Sequence, residues 1–280
     1  MKRILSTALA LTLALSLVAC GGAKQGTAPA AGGETKTPAP APAAPKTHLD
    51  EIKAAGKIIL GTSADYPPYE FHKTVDGKDK IVGWEMEMAE EIAKDLGVKL
   101  EIKESAFENL IADLNAKKVD FVISAMTITD KRKENVDFSE PYWQGGQSVL
   151  VLKENAGLYK TAADFKGKTI GVQLGTTGEE EAKKIEGAKI KPVDKFEATI
   201  LDLLAGKVDA VVCGYTVGKN YEKNNPKLSL VVELNSELNG VAFRKGDKEL
   251  VEAVNASLKK LTSDGRLEKL VQKYEAEESK

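Results

Sequence analysis

The chain of 280 residues carries 40 basic and 42 acidic side chains, a net charge of −2 with both signs interspersed, which gives no support to a nucleic-acid partner. Its only cysteines are Cys20 and Cys213 and its only histidines His48 and His72, so no internal disulfide, metal ion or cofactor is expected.

Residues 1–19 read as an export signal: Lys2 and Arg3 lead an apolar run, Ile4 to Val18, that is too short for a comfortable membrane span. The junction Leu17-Val18-Ala19-Cys20 resembles the bacterial lipobox, and that resemblance implies a lipid on Cys20. An acyl chain adds roughly 0.8 kcal/mol of membrane affinity per buried CH₂, so the chain would be tethered to the membrane through its N-terminal lipid only. Residues 20–46 then form a linker after the cysteine, holding five of the ten prolines (29, 38, 40, 42 and 45) and no large apolar side chain. Such a segment cannot bury enough surface to offset ordering entropy.

About 230 residues remain, enough for one large domain or two small lobes. Leu49 to Ala55 reads as a short helix ended by Gly56, and Lys57–Thr62 as a strand. The strand enters the loop Ser63-Ala64-Asp65-Tyr66-Pro67-Pro68-Tyr69-Glu70-Phe71, where the paired prolines forbid helix. Val75-Asp76-Gly77-Lys78 is a turn, Trp84–Leu96 a helix closed by Gly97, and Lys99–Lys103 a strand; His72 is placed in the loop beside that turn. Phe107, Leu110, Ile111 and Leu114 recur at helical spacing.

The apolar run Val119–Ile123 then leads into Ser124-Ala125-Met126-Thr127-Ile128-Thr129-Asp130-Lys131-Arg132. Thr129 suits an N-cap and Asp130 the positive end of a helix. Hydroxyls, free backbone N–H groups and a guanidinium thus gather where a strand ends and a helix begins, a natural seat for a carboxylate. Strands alternating with helices in this way imply a mostly parallel sheet.

The chain also repeats itself. A shift of 89 positions lays 107–128 on 196–217 with eleven identities in twenty-two residues and no gap, including Lys118-Val119-Asp120 on Lys207-Val208-Asp209. Two copies of an α/β unit predict two similar lobes. Lys168–Gln173 becomes the counterpart of Lys57–Thr62, and Leu174-Gly175-Thr176-Thr177-Gly178 a second anion-friendly loop. Gly145-Gly146 makes a hinge before the strand Ser148–Leu152, and a second crossing falls near Asn239-Gly240. The expected lobes are 47–145 plus 240–280 and 146–239.

The stretches Gly61–Phe71, Val82-Gly83-Trp84, Met126–Arg132, Val136–Tyr142, Gly171–Thr177 and Arg244-Lys245-Gly246-Asp247, in that order and spacing, resemble the extracytoplasmic solute-binding proteins of ABC importers, polar amino acid group. The resemblance implies an α/β, type II periplasmic-binding-protein fold: two lobes, each a mostly parallel sheet flanked by helices, joined by two hinge strands. It further implies a monomer that closes over one amino acid and passes it to ABC permease subunits. Arg132 matches the arginine that pairs with the ligand carboxylate, Thr127 and Thr177 its companion donors, and Thr176 stands in the same loop. Tyr66 and Phe107 match the aromatic walls, and Ser124, Ala125 and Met126 lie in the cleft-lining stretch.

Two departures stand out. Gly214, before Tyr215, occupies the place of the aspartate that usually holds the ligand ammonium, a contact worth roughly 1.5–3 kcal/mol. Tyr215, Asp65, Glu70 or Glu140 is then expected to compensate, unless the ligand is no standard α-amino acid. Ser63 replaces an aspartate common in relatives that bind cationic side chains, which favours an uncharged polar one. The alternatives are an enzyme on the same scaffold, of the small-carboxylate dehydratase type with a carboxylic acid in the cleft such as Glu140, or a ligand-sensing lipoprotein without a transport role.

Overall fold

The computed structural model describes residues 46–276. The expected export signal, the expected lipid site Cys20 and the expected linker up to residue 45 lie outside the described residues.

The chain begins with α1 (His48–Ala55), set by a Thr47/Asp50 capping box and ended by Gly56 at φ 66°. There follow β1 (Lys57–Thr62), β2 (Asp65–Tyr66), β3 (Glu70–Val75), β4 (Lys78–Val82), α2 (Trp84–Leu96) and β5 (Lys99–Glu104). A 3-10 turn, Phe107–Asn109, runs into α3 (Leu110–Asn115), then come β6 (Phe121–Val122), α4 (Asp130–Lys133), β7 (Val136–Phe138) and β8 (Trp143–Gly145). The second half holds β9 (Gln147–Leu152), β10 (Thr169–Gln173), α5 (Thr177–Lys184), β11 (Lys189–Val193), α6 (Phe196–Leu204), β12 (Ala210–Gly214), α7 (Tyr215–Asn224) and β13 (Leu228–Glu233). The chain returns through β14 (Glu237–Asn239) and β15 (Ala242–Arg244) to α8 (Lys248–Ser263) and α9 (Arg266–Ala276). His72 lies within β3, opposite Ile81 of β4, and not in a loop.

The strands form two five-stranded sheets of like design, ordered β5-β1-β6-β15-β7 and β11-β10-β12-β9-β13. Three strands in each pair in parallel, and one strand, β15 or β9, runs against its neighbours. Each reversed strand is the first that the chain builds after crossing between the sheets. The two crossing segments meet as the antiparallel pair β8 and β14, with Gly145 opposite Glu237 and Asn239 opposite Trp143. A Cβ on Gly146 would lie 2.2 Å from the Asn235 carbonyl, so only glycine lets the crossings come this close.

Alternation along the strands divides the core. In β9 and β12, Leu150, Val211 and Cys213 face one side, while Val149, Val151, Ala210 and Val212 pack with Phe165 and Ile170 on the other. The first sheet sends Leu60, Phe121 and Phe243 toward Trp84, Met88 and Ile92 of α2, and Val122 and Ala242 toward Leu110 and Leu114 of α3. Burying each such large side chain contributes roughly 1.5–3 kcal/mol. Leu250, Val254, Leu258 and Leu261 bury one face of α8 against the same core. Among the described residues, no helix is long and apolar enough to cross a membrane.

Candidate functional site

Strand ends and helix starts from both lobes converge on a cavity of about 30 Å³. That volume is room for only about two water molecules, so admitting an amino acid requires the lobes to part. The first lobe lines it with Ser63, Asp65, Tyr66, Glu70, Phe107, Ser124, Ala125, Thr127 and Arg132; the second with Gln173, Thr176 and Thr177, and Gln147 enters beside the hinge.

The basic end is built by α4. Thr129 caps it, its hydroxyl accepting from the Arg132 N–H at 3.2 Å, and the fork of Arg132 projects into the cleft. Arg132 Nη1 donates to the Thr127 carbonyl at 2.7 Å and Nη2 to the Gly175 carbonyl of the other lobe at 3.2 Å. Its guanidinium lies 5.3 Å from the Phe107 ring centre, within cation–π range. Across the cleft, Thr176 caps α5 by accepting from the Glu179 N–H at 3.1 Å, and the Thr177 hydroxyl stands 3.3 Å from that of Thr127.

The other end is acidic and deeply buried. Asp65 is 2% exposed and accepts from the Phe196 N–H at 2.6 Å, from the Ser63 hydroxyl and from the Gln173 amide. A first-lobe carboxyl thus caps α6 of the second lobe. Burial pushes the Asp65 carboxyl up, the opposing hydrogen bonds notwithstanding. Glu70 accepts from the Ser124 hydroxyl at 2.8 Å, and beside it Glu85 accepts the Tyr142 hydroxyl at 2.5 Å and the Ala125 N–H on both oxygens. Burial, then the neighbouring Glu85 charge, raises Glu70 well above the usual carboxylate range; burial pushes Glu85 up to about 7. The two carboxyl groups thus form one buried acidic pair in which each perturbs the other, and among the described residues Glu70 Oε2 has no other hydrogen-bond partner.

Ala125 sits between the two ends at φ 45°, a costly conformation for a residue with a Cβ. Glu85 on its N–H and the Asn239 amide on its carbonyl, at 2.6 Å, hold it there. Tyr66 reaches across the cleft and accepts from the Gly214 N–H at 2.6 Å, its ring edge-on to Phe196 at 4.9 Å. A Cβ on residue 214 would sit 3.0 Å from that hydroxyl, so the glycine makes room for the tyrosine.

Of the residues singled out from sequence, the cavity does not gather Met126, Tyr215 or Glu140. Met126 is 1% exposed and packs with Leu110, Val122 and Val136, on the far side of the chain from Ala125 and Thr127. Tyr215 is 37% exposed, 5.7 Å from the Lys219 ammonium. Glu140 is exposed, its N–H held by Asn255. Neither Tyr215 nor Glu140 is placed to compensate for Gly214. Gly214 reaches the cleft through Tyr66 alone. Sequence reasoning passed over Gln147, Gln173, Glu85 and Glu237; of these only Gln173 had a signal, as the last residue of the strand matched to Lys57–Thr62. Cys213 is a buried free thiol, pushed up to about 12 by burial.

Residues 58–277 match the family described as bacterial extracellular solute-binding proteins, family 3. The L-cystine-binding protein TcyJ of Escherichia coli is 37% identical over 229 residues, 81% of this chain and 85% of its own length. The amino acid ABC transporter substrate-binding protein AbpA of Streptococcus pneumoniae, solved bound to L-arginine, is 35% identical with a TM-score of 0.78, the match covering 81% of this chain and 97% of that one. The reconstructed ancestral amino acid-binding protein AncCDT-1, a precursor of cyclohexadienyl dehydratase, is 38% identical with a TM-score of 0.76, over 81% of this chain and 98% of its own.

Proposed function

The chain belongs to family 3 of the bacterial extracellular solute-binding proteins, and from that premise we propose that it is an extracytoplasmic receptor that captures an amino acid between its lobes and delivers it to an ABC permease. One observation carries the reading. A single interlobe cavity has a guanidinium at one end, Arg132, and the buried carboxyl groups of Asp65 and Glu70 at the other. That polarity suits a zwitterion and disfavours ligands with a second carboxylate. The α-carboxylate goes to Arg132 and the N–H groups of Thr127 and Thr177, a fork-to-carboxylate fit. The amine end goes toward Asp65 and Ser63, with Tyr66 and Phe107 as aromatic walls. The partner implied is a permease; the lobes are 47–145 plus 240–280 and 146–239, and the leader with Cys20 supplies a lipid tether.

The dehydratase alternative called for a carboxylic acid in the cleft, for instance Glu140; Glu140 sits on the surface away from the cavity, and the carboxyl groups that line it are Asp65 and Glu70. Binding without turnover is the better reading because the similar proteins TcyJ and AbpA are binding proteins, AncCDT-1 itself being an amino acid-binding protein.

A thermal-shift panel of the twenty amino acids and L-cystine tests it. The true ligand at a thousandfold excess over its Kd stabilises the protein by about 4 kcal/mol and raises the melting temperature accordingly. A flat panel would refute the amino acid reading; turnover of a small carboxylate would restore the enzyme.

A further inference from the structure

Extended backbone alternates its side chains, so beyond β6 Ser124 belongs on the face of Val122 and Met126, which pack with Leu110 and Leu114. It is not there. Ser124, Ala125 and Thr127 all border the cavity, and Met126 alone of the four turns away. The reversal is made at Ala125, whose φ of 45° belongs to the left-handed region. An alanine does not hold that conformation by itself, because its Cβ crowds the following carbonyl.

Glu85 supplies the restraint from outside the cavity. Both of its carboxyl oxygens take the Ala125 N–H, at 3.1 and 3.0 Å, and the Tyr142 hydroxyl steadies one of them. The side chain is fully buried and is not among the groups that border the cleft. Its own place is fixed by the start of α2. Gly83, at φ 137°, runs so near Tyr69 that a Cβ there would lie 1.9 Å from the Tyr69 carbonyl, to which the Glu85 N–H donates at 3.2 Å. With Ala125 held, the Ser124 hydroxyl accepts from the Ser63 N–H at 3.1 Å and donates to Glu70 at 2.8 Å. Two residues on, the Thr127 carbonyl receives Arg132 at 2.7 Å. All these bonds lie within the first lobe, so they are the same whether the cleft is open or shut.

We propose that Glu85 is a positioning residue for amino acid capture: by pinning the Ala125 N–H it keeps the strained turn that sets Ser124, Thr127 and the Arg132 fork on the cleft side. This role rests on the receptor reading. Its failure shows in how substitutions at 85 and 125 combine, whereas failure of the receptor reading shows as a wild type that binds nothing, so the two are distinguishable.

A double-mutant cycle of Glu85→Met and Ala125→Gly tests the role, with the twenty amino acids and L-cystine as probes, each titrated by thermal shift. Methionine keeps the length of the side chain and removes both acceptors, and glycine takes a positive φ without help. With alanine at 125, Glu85→Met is expected to weaken affinity for the probe that shifts the wild type by on the order of tenfold, since the unheld turn is then populated only in a minority of molecules. In the Ala125→Gly background the same substitution should weaken it by less than about twofold. Equal losses in the two backgrounds overturn the role, because a group that merely props up α2 is indifferent to the residue at 125. An undiminished affinity in Glu85→Met overturns it as well. Should every probe fail on the wild type, the receptor reading falls, and urea unfolding of the same four proteins decides whether Glu85 holds the turn. The loss in the unfolding constant should be on the order of tenfold smaller in the Ala125→Gly background, and equal losses refute the restraint. If Glu85→Met does not fold, Glu85→Gln, which keeps one acceptor oxygen, takes its place in the cycle with an expected loss of about threefold, judged in the same way.

Discussion

The Tyr66 hydroxyl and the Gly214 N–H face each other across the cleft at 2.6 Å, joining the first-lobe strand β2 to the start of a second-lobe helix. The bond exists only while the lobes are together. In Tyr66→Phe the Gly214 N–H would be left without its acceptor when the cleft shuts, at a cost of about 1–2 kcal/mol to the closed form. We expect ligand affinity to fall roughly five- to thirtyfold by calorimetry, with the melting temperature of the ligand-free protein moving far less. An unchanged affinity would remove this bond from the closing energetics.

Arg132 spans the cleft as well, holding the Thr127 and Gly175 carbonyls. Arg132→Ala is expected to weaken binding at least about a hundredfold while the circular dichroism spectrum stays native. Arg132→Lys keeps the charge without the planar fork and should fall between the two. Wild-type affinity in Arg132→Ala would move the ligand carboxylate elsewhere.

The Glu70–Glu85 pair makes stability depend on pH with a definite sign. Both carboxyls are raised in the folded protein, Glu85 to about 7, so between about 4.5 and 7 the native state binds more protons than the unfolded chain. The contribution of this pair is then fully present below about 4.5 and is lost as pH rises through 7, Glu85 alone accounting for on the order of 3 kcal/mol. His48 adds to the fall. Burial lowers it, but Asp120 and Asp247 outweigh burial and raise it. Glu70→Gln retains a carbonyl for Ser124 and an amide proton for Glu85, standing in for protonated Glu70. Urea unfolding at pH 5, 6, 7 and 8 should show a flatter dependence in this variant than in the wild type. Parallel curves would mean that the pair does not share a proton.

The internal repeat and the strand-to-helix corners that carry Thr127, Arg132 and Thr177 are legible in the sequence because they are written in local pattern, whereas Tyr66 and Phe107 at the cavity wall are reached only through the family resemblance. Met126 is misplaced when its stretch is taken whole, since neighbours on an extended segment point to opposite sides. Glu237 and Gln147 leave no local trace. Glu237 meets Thr127 across 110 positions of sequence, and a contact that long-range follows only from how the two crossing strands pair.

The repeat itself predicts a pair of energies. Asp120 and Asp209, aligned by the 89-residue shift, serve their lobes alike. Each accepts from an early N–H of the neighbouring strand, Ile59 at 2.8 Å and Thr169 at 2.7 Å. The surroundings differ. Asp120 also takes the His48 ring at 3.0 Å and lies near Arg244 with 18% of its side chain exposed, whereas Asp209 is 42% exposed with Lys168 at 3.9 Å. An exposed pair of that kind is worth little, while a partly buried one leaves its partner stranded when broken. Asp209→Ala should therefore cost about 1 kcal/mol, the worth of its backbone hydrogen bond, and Asp120→Ala about 2–3 kcal/mol. Urea unfolding of both variants at pH 6, where His48 is protonated, measures the difference. Equal costs would mean that the His48–Asp120–Arg244 cluster adds nothing beyond the bond that the two copies share.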